Sequence, residues 1–309
     1  MSASILPMPS LSAREVGSLH IITDDALARI SGVRVAFTGA VGGVSEEPYS
    51  SLNLATHVGD NPEFVLENRA RLMRAFDAED VPLVVPSQVH GSNLVVVSDA
   101  DQAAIEAVRA EAGLGADAVA VEVADVAALL CFADCVPVII VSPTGRFAVV
   151  HAGWRGAVAK IASKAVHELC RLDACDSACS AGSSASIDSA GSVDPSDSDD
   201  MSCSSDPSSF ADPAQFNVYI GPHIHGECFE CGEDVRTRFA EAFGQQCLCG
   251  SNCVSLFDAL VADLISVGVD EARIVDSGVC TMCESPQFYS YRASGGTCGR
   301  HGALAFRRM

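Results

Sequence analysis

Three short segments of the chain each end an apolar run with a side chain that can bind a metal ion. They are Pro86–Gly91 with His90, Cys131–Pro137 with Cys135, and Val149–Gly156 with His151. Two imidazoles and a thiolate suit zinc, and three protein ligands leave a fourth position open for catalysis. A zinc ion held in this way lowers the pKa of its water to about 7. From spacing alone, two partly buried histidines and a core thiol remain an equally simple interpretation.

The composition limits the classes of function. The chain has 309 residues, of which 49% are hydrophobic and 19% charged, so it can form a buried core. Its 19 Lys and Arg against 40 Asp and Glu give a net charge of −21, which argues against nucleic-acid binding because that needs clustered cations. Lys160 and Lys164 are the only lysines, so a lysine-driven patch for an anionic membrane is not expected. No apolar run is long enough to span a bilayer.

The N-terminal residues and the cysteines favour a cytoplasmic protein. Residues 1–14 lack the basic start and apolar stretch of a signal peptide. The chain carries 14 cysteines but is far larger than a disulfide-stabilised secreted domain. We therefore expect reduced thiols, one or a few of which bind metal.

The hydrophobic pattern predicts a mixed α/β protein, in which short apolar strands alternate with helices. Asn61 and Pro62 are typical of a helix N-cap and first turn. Strands are predicted at Val33–Phe37, Leu94–Val97, Ala118–Val121, Val136–Val141, Phe147–Val150, Val218–Ile220 and Ile274–Asp276, and helices at Pro62–Phe76, Gly156–Leu172, Val235–Phe243 and Phe257–Val267.

One segment, residues 173–215, differs in composition from the rest. It is dominated by Ser, Asp, Ala and Gly and contains no Lys or Arg. Such a stretch cannot bury enough apolar surface to offset its ordering entropy, so we predict a disordered insertion. A metal-binding loop using Cys175, Cys179 and Cys203 is the alternative. We expect a flexible N-terminus over residues 1–19 and one catalytic domain over residues 20–309, interrupted by this insertion.

The segments described above resemble, in order, the YfiH-like family. Its members were long labelled polyphenol oxidases or laccase-like multicopper proteins and have since been assigned to purine nucleoside metabolism. The resemblance extends over roughly residues 30–309 apart from the insertion. The matching blocks are Gly42–Ser45, Tyr49–Leu54, His57–Asp60, Glu67–Arg69, the SQVHG, ADCVP and HAGWRG segments, Ile220–Pro222, Cys280–Cys283, Tyr289–Arg292 and Gly299–Arg300.

The resemblance implies a zinc-dependent enzyme with the metal ligands His90, Cys135 and His151. It implies phosphorolysis of adenosine, inosine and S-methyl-5′-thioadenosine to a free base and a (thio)ribose 1-phosphate, together with adenosine deamination. The implied fold is a single α/β domain with two packed mixed β-sheets flanked by helices, resembling the catalytic fold of a deamidating toxin. The substrates are then purine nucleosides and phosphate, and the oligomeric state stays open.

Further residues are predicted around this site. Arginine can hold phosphate bidentately, and Asp134, next to a ligand, can orient it or carry a proton. Aromatic rings can stack on a purine. For each residue, a structural ion pair or a packing role is the alternative. The predicted catalytic residues are Asp134, Arg155 and Arg292, and the predicted substrate-binding residues are Trp154, Tyr291, Ser45 and Asn53.

Two positions depart from the family pattern. The family usually has a Thr-Arg pair before its first Gly-Gly, where this chain has Gly39 and Ala40. Phe229 replaces a tyrosine that the family usually has before a glutamate. We expect the missing arginine to weaken substrate binding or to change the preferred nucleoside.

Other functions compete with this interpretation. Cys135 and His151 could form the nucleophile–base pair of a metal-independent cysteine hydrolase or deamidase. A non-catalytic protein with a structural zinc is a third hypothesis. A copper polyphenol oxidase is disfavoured, because His223–His225 is one HxH pair in a chain of only eight histidines. The CxxC pairs Cys228–Cys231 and Cys280–Cys283 favour local packing over a four-cysteine zinc site.

Overall fold

Two six-stranded mixed sheets form the centre of the protein. The structure, a computed structural model, describes residues 5–181 and 212–308. The first sheet has the order β1 (Ser12–Val16), β2 (Leu19–Thr23), β3 (Val33–Thr38), β14 (His301–Arg307), β7 (Ala127–Phe132), β4 (Leu83–Val84). The second has the order β13 (Ile274–Asp276), β10 (Asn217–Ile220), β8 (Val136–Val141), β9 (Phe147–Ala152), β6 (Ala118–Val121), β5 (Leu94–Val97).

Helices cover the outer faces of both sheets. Strands β11 (Leu248–Cys249) and β12 (Cys253–Val254) form a separate small hairpin. None of the described helices is long and apolar enough to cross a membrane. The helices are α1 (Asp25–Ser31), α2 (Pro62–Arg74), α3 (Gln102–Gly113), α4 (Trp154–Val158), α5 (Ile161–Ala181), α6 (Glu233–Phe243) and α7 (Leu256–Ser266).

Three apolar layers hold these elements together. Phe37 and Leu130 of the first sheet pack against Ile139 and Val149 of the second. The other face of the second sheet packs on α5, α6 and α7, and the other face of the first packs on α2. Strands β7, β8 and β9 are therefore buried on both faces, which explains their continuous apolar sequence. The expected fold of two packed mixed sheets flanked by helices is confirmed.

Most predicted elements form close to their predicted bounds. All seven predicted strands are present, and Asn61 caps α2 by accepting the backbone N–H of Glu63 at 3.0 Å. The helix predicted at Gly156–Leu172 is instead two helices, α4 and α5, and Lys160 between them has φ 61°. The pattern missed β1, β2, β4, β7, β14, α1, α3 and the β11–β12 hairpin.

The N-terminus differs from the flexible segment expected over residues 1–19. Strand β1 pairs antiparallel with β2 along its whole length, and Leu6 is buried in the core between the sheets. Most of the β1 side chains are exposed, because β1 is an edge strand. Backbone hydrogen bonds to β2 therefore define this strand, and its polar sequence carries no hydrophobic signal that could have predicted it.

The expected insertion begins later than residue 173. Helix α5 continues to Ala181, and Asp173 within it is buried and accepts hydrogen bonds from Arg146 Nη1 at 3.0 Å and Thr144 Oγ1 at 2.5 Å. At the other end, Asp212 caps the 3₁₀ turn Pro213–Gln215. The rest of the expected insertion, residues 182–211 with Cys203, lies outside the described residues. Asp173 was misassigned because its partners come from the distant β8–β9 turn.

We predict that Asp173→Ala lowers the free energy of unfolding by about 3 kcal/mol, because it removes one partner of a buried ion pair. The side chains of Arg146 and Asp173 are only 5% and 1% exposed. Urea unfolding at neutral pH measures the change. The matched control is Glu168→Ala on the same helix, which removes the more exposed pair with Arg171 and should cost less than about 1 kcal/mol. Equal losses for both variants would contradict the prediction.

Candidate metal centre

The three predicted metal ligands meet in one place. One ligand atom from each of His90, Cys135 and His151 lies within 4.8 Å of the other two. His90 lies between β4 and β5, Cys135 lies between β7 and β8, and His151 belongs to β9. The β4–β5 and β7–β8 connections both run from the first sheet to the second. The packing of the two sheets therefore brings together three residues that are far apart in sequence.

Asp117, which precedes β6, fixes two of these ligands. Its buried carboxylate accepts the Nδ1–H of His151 at 2.7 Å and the backbone N–H groups of His90 at 2.9 Å and Gly91 at 2.6 Å. Burial alone raises the pKa of Asp117, but these hydrogen bonds lower it below its ordinary value. Asp117 thus stays a carboxylate, holds His90 at φ 59°, and leaves Nε2 of His151 facing the site.

The thiol of Cys135 is prepared for metal binding. Burial raises its pKa, but the charge and hydrogen bond of His151, together with His90, lower the pKa to about 6. Burial lowers the pKa of His151, whereas Cys135 and Asp117 raise it to about 9. Cys135 is therefore a thiolate at neutral pH, which is the form that binds a metal ion.

The donor set fits a zinc ion. One thiolate and two imidazoles match its preference for sulfur and nitrogen, and a carboxylate that fixes a ligating histidine is a recurrent support of zinc sites. A fourth position would face the adjoining cavity, since all three side chains line it. The residues present therefore suit a catalytic rather than a fully enclosed structural ion.

Gly153 packs closely against two of the predicted ligands. A Cβ atom at this position would be 3.1 Å from both Cys135 Sγ and His90 Cδ2, so a larger residue would require these side chains to move by a few tenths of an ångström. Gly153 is also the N-cap of α4, at the turn from β9 into this helix. Glycine therefore favours this close approach, and no unusual φ is involved.

We predict that Gly153→Ala lowers zinc affinity at least about tenfold, because the added methyl group displaces the ligands. Competition with a chromophoric chelator measures the affinity. Gly113→Ala is the control, because a Cβ at this position of α3 meets nothing within 4 Å, and alanine favours a helix. It should leave zinc affinity unchanged. An unchanged affinity in Gly153→Ala would contradict the prediction.

A cavity of about 410 Å³ opens beside the three ligands. This volume is in the range of small-molecule sites. The apolar side chains in its wall include Ile224, Phe229 and Leu256, while Arg155, Arg292 and Arg300 supply positive charge. The wall is thus suited to a ligand with a flat apolar part and an anionic part.

Several predicted residues line this cavity, and two of them have partners that define their roles. Trp154 lies under the guanidinium of Arg155, whose Cζ is 4.4 Å from the ring centroid. Arg292 donates from Nη2 to the Glu230 carbonyl at 2.9 Å. Tyr291 also lines the cavity and is 53% exposed, and the guanidinium of Arg300 lies over its ring with Cζ 5.6 Å from the centroid.

Asp134 lines the cavity but is already engaged on both carboxylate oxygens. One accepts the Oγ1–H of Thr281 at 2.7 Å, and the other accepts the backbone N–H of Arg292 at 2.7 Å. Its backbone has φ 86°. This geometry favours positioning of the loop that carries Tyr291 and Arg292 over the predicted proton transfer.

Ser45 and Asn53, predicted to bind substrate, do not line the cavity. Ser45 Oγ–H donates to Asp60 Oδ2 at 2.6 Å, and Asn53 Nδ2–H donates to the same oxygen at 2.8 Å. Asn53 also accepts the backbone N–H of Arg300 at 2.9 Å. Ser45 and Asn53 therefore belong to a polar network that also holds the backbone of Arg300. Residue spacing in the sequence does not distinguish such a network from contact with a substrate.

The sequence analysis did not assign five residues that contribute to the site: His57, Gln88, Asp117, Phe229 and Arg300. Partial burial and the positive charges of Arg300 and Arg69 lower the pKa of His57, which favours its neutral form. His57, Gln88 and Arg300 lie inside the matching sequence blocks, which could have identified them. Asp117 has no such motif, and its only signal is a carboxylate just before an entirely apolar strand.

The departure at Ala40 also lies near the site. Ala40 is buried and packs with Tyr289, Cys298 and Ala133, and Ala133 lines the cavity. Where the family usually has an arginine, this chain therefore has an apolar contact. A positive charge is still present in this part of the cavity wall, because Arg300 lies two residues after Cys298.

Fold and site together define a two-sheet α/β protein with a His/Cys/His centre at the sheet crossovers. A family model described as multi-copper polyphenol oxidoreductase laccase matches residues 34–196 and 203–308. The chain belongs to this family, which includes the YfiH-like proteins.

The relatives found in the comparisons cover nearly the whole chain. Adenosine deaminase RL5 from an unknown prokaryotic organism is 30% identical over 92% of this chain and 97% of its own length. Purine nucleoside phosphorylase YlmD of Geobacillus stearothermophilus is 30% identical over 90% and 91%. The crystal structure of YlmD from the same species matches with a TM-score of 0.72 and 26% identity, covering 97% of this chain and 100% of that one. The Bacillus licheniformis YfiH structure has the same fold, with a TM-score of 0.74 and 24% identity over 96% and 99%.

Proposed function

We propose that this protein is an enzyme that processes purine nucleosides. Its main reaction is the zinc-dependent phosphorolysis of adenosine, inosine and S-methyl-5′-thioadenosine, and it also deaminates adenosine. The observation that carries the proposal is the meeting of a His/Cys/His centre with three arginines in one cavity of nucleoside size. The relatives named as purine nucleoside phosphorylases and as an adenosine deaminase support it.

The chain's own residues can bind both parts of a nucleoside and the phosphate. Arg155, Arg292 and Arg300 offer planar guanidinium groups that suit an inorganic phosphate ion. Phe229 and Tyr291 offer ring faces for the purine. Binding at these residues brings the phosphate and the nucleoside together, which removes much of the entropic cost of a bimolecular reaction.

Phosphorolysis breaks the bond between C1′ of the sugar and N9 of the purine. A phosphate oxygen forms the new bond to C1′, and the electron pair of the broken bond leaves with N9, which takes up the proton that the phosphate loses. His57, whose pKa is lowered by its surroundings, can accept that proton at its unprotonated ring nitrogen and pass it on to the leaving base. When bound by His90, Cys135 and His151, zinc supplies Lewis-acid chemistry. In deamination, water adds at C6 of adenosine and ammonia leaves, which yields inosine.

The direct test incubates the zinc-loaded protein with adenosine, with and without phosphate, and separates the products by chromatography. Phosphate-dependent release of adenine and ribose 1-phosphate would support the phosphorylase, and inosine formed without phosphate would support the deaminase. No product from adenosine, inosine or S-methyl-5′-thioadenosine would overturn the proposal. Metal analysis of the same sample measures zinc and copper, because the family description refers to copper.

A second candidate is a metal-independent cysteine hydrolase. Cys135, His151 and Asp117 form a line of nucleophile, base and orienting carboxylate, and the pKa of Cys135 is lowered to about 6. A chelator separates the two candidates. It abolishes a zinc-dependent reaction, whereas a cysteine hydrolase keeps its activity in chelator and loses it to iodoacetamide. We favour the zinc enzyme because His90 joins the same cluster and is not needed by the hydrolase.

A further inference from the structure

A second group of cysteines lies outside the cavity wall. The Sγ atoms of Cys228, Cys280 and Cys283 are all within 4.8 Å of one another, and those of Cys228 and Cys283 are 3.6 Å apart. Cys231, the other half of the first CxxC pair, is not in this group. We call these three residues the thiol cluster. It differs from the local packing that the sequence favoured, because it joins two loops that are distant in sequence.

The thiol cluster already contains hydrogen bonds that favour a thiolate. The backbone N–H of His225 donates to Cys280 Sγ at 3.4 Å. Burial raises the pKa of Cys280, but this bond and the backbone N–H groups of Cys283 and Met282 lower it below its ordinary value. In the turn Cys280–Cys283, the backbone N–H groups of Met282 and Cys283 thus point toward the sulfur of Cys280, and such donors stabilise negative charge on it.

A cation among the three sulfur atoms would favour the ionised form of the other two thiols. Burial and the hydrogen bonds to Cys283 and Cys280 raise the pKa of Cys228 to about 12. Three thiolates at these distances repel one another strongly, whereas a divalent ion between them removes the repulsion and displaces the thiol protons into solvent. Sulfur donors select zinc and other thiophilic ions over magnesium or calcium.

We propose that Cys228, Cys280 and Cys283 form a second metal site, which binds a zinc ion through three thiolates. Cys280 is buried, Cys228 is half-buried and Cys283 is exposed, so a fourth position faces solvent and can take water. A disulfide is the competing use of these residues. It would join only Cys228 and Cys283, whereas an ion uses all three sulfur atoms of the thiol cluster.

This second ion would connect two parts of the cavity wall. Phe229, which lines the cavity, directly follows Cys228. Thr281 directly follows Cys280 and donates to Asp134, which in turn accepts the backbone N–H of Arg292. The ion therefore acts as a positioning element, and its loss should affect substrate binding more than the chemical step. This consequence rests on the proposed function, whereas the metal site itself does not.

Cobalt titration of the reduced, full-length Cys135→Ser variant tests the site, because this background lacks the thiolate of the first centre. We expect one Co²⁺ per chain with a thiolate-to-cobalt charge-transfer band, and displacement by Zn²⁺. Adding Cys283→Ser or Cys228→Ser should weaken binding more than about 100-fold, since removing a ligand exceeds the effect of removing its support. The control is Cys249→Ser, a half-buried cysteine of β11 outside the thiol cluster.

Circular dichroism of each variant verifies that it is folded. A charge-transfer band that is absent from the folded Cys135→Ser variant, or that persists in both cluster variants, would overturn the proposal. So would a Cys228–Cys283 disulfide formed quantitatively with hydrogen peroxide as oxidant while zinc is present in excess. These measurements use no nucleoside, so they stay informative even if the proposed function fails.

In the chain with Cys135 intact, Cys283→Ser should raise KM for adenosine several-fold with little change in kcat. A fall in kcat with unchanged KM would contradict the positioning role. Comparison with the metal content of the same sample links the kinetic change to loss of the second ion.

Discussion

Cys135→Ser should reduce the proposed purine nucleoside turnover by more than about 100-fold and lower zinc content at the first centre, because it removes a predicted ligand whose thiolate form the site stabilises. Serine keeps the size of the side chain, but its hydroxyl does not ionise near neutral pH. The measurement combines elemental analysis of the purified protein with the chromatographic adenosine assay. Both phosphorolysis and deamination should fall together, because the proposed function assigns both reactions to one cavity.

Two further variants show whether this loss is specific. Cys249→Ser changes a cysteine of the β11–β12 hairpin, away from the ligands, and should keep zinc at the first centre and activity at the level of the unaltered protein. His90→Ala should resemble Cys135→Ser, since it removes a second ligand but leaves the Cys135–His151 pair intact. If His90→Ala keeps its activity in the presence of a chelator, the cysteine hydrolase replaces the zinc enzyme as the better hypothesis.

Asp117→Asn should lower zinc affinity by about 10- to 100-fold, although Asp117 is not itself a ligand. The amide carries no charge to hold the Nδ1–H of His151, and one of its two polar groups is now a donor that opposes the N–H groups of His90 and Gly91. The buried mismatch should also cost about 1–3 kcal/mol of folding free energy. Chelator competition measures the affinity, and urea unfolding of the metal-free protein measures the stability.

Asp99→Asn is the matched control. Asp99 accepts a hydrogen bond from the backbone N–H of Asp101 at an exposed turn, and asparagine can keep that bond. Neither zinc affinity nor stability should change. Retained zinc affinity in Asp117→Asn would show that the ligands are held by the sheet packing alone, without this carboxylate.

The sequence was informative where a pattern is local. The apolar strands β5, β6, β8 and β13 begin and end at their predicted residues. Residue type and position at the ends of apolar runs indicate the three candidate ligands, and these three side chains lie together in the structure. Strand β1 was missed because backbone pairing defines it. Helix α5 was ended too early because Asp173 obtains its partners from a turn 27 or more residues away.

The same limit applies at the candidate site. Ser45 and Asn53 lie in two of the matching blocks, but sequence alone does not show whether such a polar side chain faces a cavity or the buried network that these two residues join. Asp117 was missed because its importance depends on backbone N–H groups of a loop that is 26 and 27 residues distant. Contacts of this kind are set by tertiary packing and leave no periodic signal.

The crossovers that carry His90 and Cys135 have a mechanical consequence. Each runs from one sheet to the other, while His151 belongs to the second sheet itself. A small slide of one sheet over the other would separate the three ligand atoms. The distances among these atoms therefore depend on how the two sheets are aligned. An ion bound there would resist shear across the central core, and mutations deep between the sheets could alter metal affinity without touching a ligand.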